Sequence, residues 1–280
     1  MRKGILALLS VVLLVVLAAC GGGSDDAEVG EKDEDGVTKL VVGASSVPHG
    51  EILEEAEDLL AEENIELEIE PYEDYVLPND DLDNGTLDAN YFQHIPYLEQ
   101  TIEDTGYELT HIGSVHIEPM GVYSTSFDDV DSIPDGTEVL LSNSVSDHGR
   151  VLGLFEVEGL ITLSDDVDVA EATIDDIEDN PKNLQFTPDY DPAILPELYE
   201  KEKDILAVIN TNFAIEAGLD PLEDSLFIEG DESPYVNVIA VREEDKDNEA
   251  LQTLIDVLNS EEIQDFITEK YEGAVVPVSN

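Results

Sequence analysis

Positive charge is the scarcest commodity in this chain. Its 280 residues include 11 Lys and Arg against 68 Asp and Glu, a formal net charge of −57 at pH 7. So strong an acidic balance argues against nucleic acid or an anionic membrane surface as partner. Cysteine occurs once, at Cys20, which excludes a disulfide framework and a thiolate metal site. Tryptophan is absent, and Tyr and Phe together supply only 10 and 7 residues, so any dense aromatic cluster stands out. The signatures H-E-x-x-H, G-x-S-x-G, the P-loop and G-x-G-x-x-G do not occur. Carboxylates are too abundant for any pair to mark a general acid and base. Nothing positive argues for an enzyme, a metal or a cofactor, and no repeat of 20–50 residues is present.

What remains is a folded, exported protein. Hydrophobic residues make up 42% of the chain and recur with regular period, unlike a disordered acidic polymer. An acidic, solvated surface over such a core suits high salt, where self-repulsion is screened. The first residues, Met1-Arg2-Lys3-Gly4, form a short basic stretch, and Ile5–Ala19 is apolar apart from Ser10. That is a secretory signal over 1–19, too short for a membrane span. It ends Leu17-Ala18-Ala19-Cys20, a bacterial lipobox in which Cys20 carries the lipid. Residues 20–36, rich in Gly and acids, read as a flexible tether.

The mature fold opens strand, loop, helix, strand: apolar Lys39–Ala44, the Pro48 loop, an amphipathic helix over 51–63, then alternating Ile65–Ile69. This βαβ pattern predicts a parallel pairing. Residues 96–105 suggest a helix and 109–115 a strand. A second α/β unit follows, with strands at 138–141, 184–186 and 205–209 and helices at 147–158 and 212–217. Tyr235–Val241 is the clearest strand, and two amphipathic helices, 248–258 and 261–271, close the chain. Two α/β units and a return segment imply two lobes with a cleft between them, where ligands sit beyond the carboxyl ends of strands.

The stretch Asp88-Ala89-Asn90-Tyr91-Phe92-Gln93-His94-Ile95-Pro96-Tyr97 packs four rings into seven residues. Such amphipathic rings make a wall for a small apolar ligand; an aromatic core cluster pinned by a turn is the plainer alternative. Arg150 and Arg242 are the only arginines after the leader. Arg150 falls where a loop enters a helix, well placed to hold a carboxylate in bidentate fashion, or simply paired with one of the many acids. His49, His94, His111, His116 and His148 suit loops or pocket walls better than a metal. Asn212 and Asn237 offer donor and acceptor together, as a zwitterion requires. Asn212 could equally be a helix cap, whereas an amide inside the apolar 235–241 strand needs partners.

Six segments, from Val41–Leu53 through Asp74–Asn79, Leu87–Leu98, His116–Ser124 and Val208–Asn212 to Ser233–Val238, resemble the NlpA/MetQ methionine-binding lipoproteins. The resemblance spans about Lys39 to Pro277. It implies an α/β, two-lobed periplasmic-binding-protein type II fold, with residues 37–119 and 235–280 in one lobe and 120–234 in the other. It implies an extracytoplasmic, membrane-anchored receptor that binds L-methionine, with no cofactor, and delivers it to an ABC permease and its ATPase. By that likeness Tyr91, Phe92, His94 and His116 surround the methionine side chain. Arg150 clamps the carboxylate, Asn212 and Asn237 bind the main-chain polar groups, and Tyr75 helps close the wall. The loop Ser142–Arg150 keeps Asn143 and the Gly149-Arg150 pair but departs from the usual Asn-Asp-x-x-Asn-Glu-Gly-Arg form between them. Residues 187–203 also diverge. A methionyl dipeptide or another apolar amino acid is the alternative ligand, and a metal-binding surface protein is the alternative of a different class.

Overall fold

The computed structural model describes residues 29–30, 32, 36–230 and 233–278. The signal segment 1–19, Cys20 and most of the tether lie outside them. Among the described residues no helix is long and apolar enough to cross a membrane.

The chain begins β1 (Thr38–Ser45), α1 (Glu51–Glu62), β2 (Ile65–Tyr72), and β1 pairs with β2 in parallel, as the alternation predicts. α2 (Leu77–Asp83), β3 (Ala89–His94), α3 (Ile95–Thr105) and β4 (Leu109–Ile117) follow. Beyond residues 118–120 come β5 (Gly121–Tyr123), β6 (Glu138–Ser142), α4 (Val145–Val157), β7 (Thr162–Leu163), β8 (Ile177–Asp179) and β9 (Gln185–Tyr190). Then α5 (Leu195–Lys201), β10 (Ile205–Ile209), α6 (Thr211–Glu216) and β11 (Phe227–Ile228) complete the middle of the chain. It closes with β12 (Val236–Arg242), α7 (Glu249–Leu258), α8 (Glu261–Tyr271) and β13 (Val276–Pro277).

Two large sheets result. One has the order β13-β4-β12-β3-β1-β2, the other β11-β5-β10-β6-β9, with β7 and β8 paired apart. The chain passes from one large sheet to the other twice, between β4 and β5 and between β11 and β12. Each sheet is apolar on both faces, as strands covered on both sides must be. In β10, Leu206 and Val208 face a cluster with Leu152 and Phe155 of α4, while Ala207 and Ile209 face one with Leu195 of α5 and Phe213 of α6. In β12, Ile239 and Val241 meet α1, α7 and α8, and Val238 and Ala240 meet Leu82 of α2 and Leu98 of α3.

The aromatic stretch is a strand where the sequence shows only a lead-in. β3 lies inside the six-stranded sheet and is buried throughout. Its polar members pair with Asn79 of α2: Asn79 Nδ2 donates to Gln93 Oε1 at 2.9 Å, and Asn90 Nδ2 and Gln93 Nε2 both donate to Asn79 Oδ1, at 2.8 and 2.7 Å. Pro96 then sits in the first turn of α3, where its missing N–H costs nothing. His94 caps that helix, its Nδ1 accepting the Tyr97 N–H at 3.1 Å.

α4 begins at Val145, so Arg150 lies in its second turn, beyond the loop-to-helix junction. Gly149 lets this helix approach the turn at residues 169–171. A Cβ there would meet the carbonyl oxygen of Val169 and lie 2.6 Å from that of Ala170. Gly149→Ala is therefore expected to cost about 1–3 kcal/mol of stability as the turn is pushed away. A urea midpoint unchanged from wild type would contradict this packing.

Candidate functional site

A narrow cavity lies between the two sheets. The centres of water molecules can occupy about 30 Å³ of it, room for about two waters. One side is built at the carboxyl end of β3, from Phe92, Gln93 and His94, with Tyr97 of α3 and Tyr75 from the loop before α2. Glu118, just past β4, and Asn237, in β12, complete that side. The other side is Asp147 and Arg150 of α4 and Thr211 and Asn212 of α6. Asn237 pairs with both His94 and His116 at a point where the register of β12 slips, a bulge of the kind that re-aims a side chain.

The aromatic wall is continuous. The Tyr75 ring lies 5.8 Å from Phe92, 6.0 Å from Tyr97 and 5.1 Å from Phe213. Tyr97 donates its hydroxyl to the Tyr75 carbonyl at 2.8 Å, and Tyr75 donates its own to Asn212 Oδ1 at 2.6 Å. That last bond joins the two sides.

His94 makes a second bridge. Because Nδ1 accepts from Tyr97, the ring proton sits on Nε2, which lies 3.0 Å from Asp147 Oδ1. Asp147 is buried, and burial alone would raise its pKa. The His94 hydrogen bond and the Arg150 charge outweigh that and hold its carboxyl below the usual range.

Arg150 is paired within the protein. Its Nε and Nη2 donate to Glu229 Oε2 at 2.9 and 2.6 Å, and Nη2 also donates to the Glu118 carbonyl. The guanidinium lies 4.7 Å above the Tyr235 ring. Burial works against its charge, but the Glu229 and Asp147 carboxylates prevail and raise its pKa. Nη1 has no hydrogen bond among the described residues. Its nearest ion-pair partner is Asp147 Oδ1 at 3.9 Å.

Behind the wall sits a buried network. Glu118 Oε1 lies 2.8 Å from His116 Nε2 and 3.1 Å from His49 Nε2, and its carboxylate also accepts the Asn212 backbone N–H. His49 Nε2 lies 3.1 Å from Asn237 Oδ1, and the Tyr91 hydroxyl bonds His116 Nδ1. His116 is therefore satisfied at both ring nitrogens as a neutral donor through Nε2, whereas His49 donates through Nε2 and its buried Nδ1 has no partner among the described residues. Burial lowers the pKa of His49 to about 4 and of His116 to about 3, and burial raises that of Glu118. His49, His116 and Glu118 present ligand atoms within 4.8 Å of one another; this pattern of donors and acceptors accounts for their convergence.

Of the residues singled out in the sequence, the structure brings Tyr75, Phe92, His94, Arg150, Asn212 and Asn237 to the cavity. Tyr91 and His116 do not line it. Tyr91 points into the core on the other face of β3, against His49 at 4.7 Å, and His116 is fully buried beside it. Strand alternation explains this, since Tyr91 and Phe92 are neighbours and face opposite ways. Tyr97 lines the cavity as a member of the ring cluster, and Glu118, Asp147, Gln93 and Thr211 line it unforeseen. For the two acids no sequence signal separates them from 66 others.

The sequence model of the NlpA lipoprotein family matches residues 40–279. The chain belongs to the NlpA lipoprotein family. It is 43% identical over 281 residues to the methionine-binding lipoprotein MetQ of Bacillus subtilis, covering 100% of both chains. Its fold resembles the crystal structure of a pheromone cOB1 precursor/lipoprotein of Enterococcus faecalis, with a TM-score of 0.84 and 48% identity over 86% of this chain and 100% of that one. It also resembles a nutrient-binding protein of Burkholderia cenocepacia, solved bound to methionine, with a TM-score of 0.80 and 36% identity over 85% and 99% of the two chains. The fold is thus the α/β, two-lobed periplasmic-binding-protein type of these lipoproteins.

Proposed function

We propose that this NlpA lipoprotein is a receptor for free L-methionine, anchored through a lipid on Cys20 at the extracytoplasmic face and feeding an ABC permease and its ATPase. Residues 37–119 with 235–280 make one lobe and 120–234 the other. The observation that carries this reading is the make-up of the cavity: an aromatic wall with the Glu118 carboxylate at one side, and the Arg150 guanidinium with the Asp147 carboxylate at the other.

Each part of a methionine zwitterion has a counterpart. Arg150 Nη1 takes the ligand carboxylate, and Glu118 and Asp147 take the ammonium. The free amide groups of Asn212 and Asn237 supply further hydrogen bonds. Charge-assisted bonds of this kind contribute roughly 1.5–3 kcal/mol each. Phe92, Tyr75 and Tyr97 receive the thioether, whose polarizable sulfur packs well against ring edges. One methylene is worth only about 1–3 kcal/mol, so the cavity discriminates side chains less sharply than it demands a free carboxylate. The Burkholderia relative bound to methionine supports the same reading.

Thermal melts with a panel of L-methionine, D-methionine, L-leucine and glycyl-methionine test it. L-Methionine is expected to raise the melting temperature most, because a ligand at 100 times its Kd adds about 2.7 kcal/mol. A folded chain that no panel member stabilises would refute the receptor reading.

A further inference from the structure

Glu229 lies beside the cavity, and it holds Arg150, the one Lys or Arg among the described residues that line it. Its Oε2 accepts two hydrogen bonds from Arg150, at 2.9 and 2.6 Å, and a third from the Met120 N–H at 3.3 Å. Its Oε1 accepts from Ser233 Oγ at 2.9 Å, and Ser233 Oγ in turn accepts the Tyr235 N–H at 3.2 Å. The backbone joins in, since the Glu229 N–H donates to the Met120 carbonyl at 2.9 Å. Arg150 itself reaches the Glu118 carbonyl and lies over the Tyr235 ring. Glu118 and Met120 belong to the first crossing between the sheets, and Glu229, Ser233 and Tyr235 to the second.

A guanidinium has five N–H groups in a rigid fork. Here Glu229 takes the Nε–Nη2 edge and the Glu118 carbonyl takes more of Nη2, so only Nη1 remains for a ligand. The orientation of that nitrogen is set by Glu229, which is fixed to both crossings. We propose that Glu229 is the positioning residue that aims Arg150 at the ligand carboxylate, holding it from both chain crossings at once. This rests on the methionine reading of the cavity. It makes the arginine's ion pair part of the recognition apparatus, so the carboxylate end of the ligand is read against a frame that spans the two lobes.

The test compares L-methionine with L-methioninamide, which lacks the carboxylate, on the full chain in detergent and on its Glu229→Ala and Glu229→Gln variants. Glu229→Ala is expected to weaken L-methionine binding by about 100-fold, the effect of a misplaced binding group, while methioninamide changes by less than about threefold. Glu229→Gln keeps the shape and the Ser233 contact and should recover part of the loss. Equal losses for both ligands would mean a merely structural role and overturn the proposal, as would L-methionine affinity unchanged or increased in Glu229→Ala. Wild-type chain that binds no L-methionine would overturn the reading of the cavity itself; normal wild-type binding with equal losses overturns the role of Glu229 alone.

Discussion

Arg150→Ala is expected to weaken L-methionine binding by about 2–5 kcal/mol, which is roughly 30-fold to several thousand-fold in Kd. The size follows from the setting. The guanidinium is buried and, among the described residues, the only Lys or Arg side chain lining the cavity, so the ligand carboxylate would be desolvated with no guanidinium or ammonium partner. Two buried acids nearby, Glu118 and Asp147, would then repel it. The fold should survive, because Glu229, left without its partner, is 17% exposed and can hydrate. Arg150→Lys should fall between the two, since an ammonium keeps the charge and loses the fork that grips Glu229 and ligand together. Titration calorimetry on both variants, with circular dichroism to verify folding, checks this. Undiminished binding in folded Arg150→Ala would remove Arg150 from the site.

The second large effect is on stability in acid. His49 and His116 are buried and neutral, with pKa values lowered by burial from 6.5 to about 4 and about 3. In the unfolded chain both return to the ordinary value. Between pH 6.5 and these lower values the unfolded state therefore binds more protons than the folded one, and stability rises with pH. The stabilisation is complete above pH 6.5 and lost as pH falls toward 4. At pH 5 the loss is on the order of a few kcal/mol relative to neutral pH, shared by two histidines that are coupled through Glu118. Asp147, with its pKa lowered, adds loss in the same direction at still lower pH. Glu118 acts oppositely: its pKa is raised by burial, so its contribution is present in acid and lost as pH rises. Denaturant melts at pH 7.5, 6 and 5 should show the midpoint falling steeply, and His49→Gln should flatten the profile. A midpoint constant over that range would contradict the neutral, buried network.

Much of the framework was legible in the sequence because its elements are regular. β10 is an unbroken apolar run and β12 one interrupted by Asn237, α1 and α7 carry apolar residues at helical spacing, and βαβ order forces β1 and β2 parallel. β3 was obscured by Asn90 and Gln93, polar residues that break the apolar pattern and are tolerated inside the sheet only because Asn79 pairs with both. α2 and α5 are short and acidic, with seven residues each, too few to display a period. For the cavity, scarcity was the useful signal. Arg150 stood out as one of two arginines, Asn237 as an amide in an apolar strand, and Phe92 and His94 as part of a rare ring cluster. Glu118 and Asp147 were hidden by abundance, and only burial separates them from the solvated acids. Tyr91 and His116 share the cluster's composition but sit on its far side, a distinction that requires the strand register.

The most direct test of the account is a calorimetric titration of the full chain in detergent and high salt, after unfolding and refolding to strip carried-over ligand. L-Methionine is added first, and glycyl-methionine in a separate run. The account predicts one L-methionine per chain and much weaker binding of the dipeptide. A folded chain that binds neither, or that prefers the dipeptide, would contradict it.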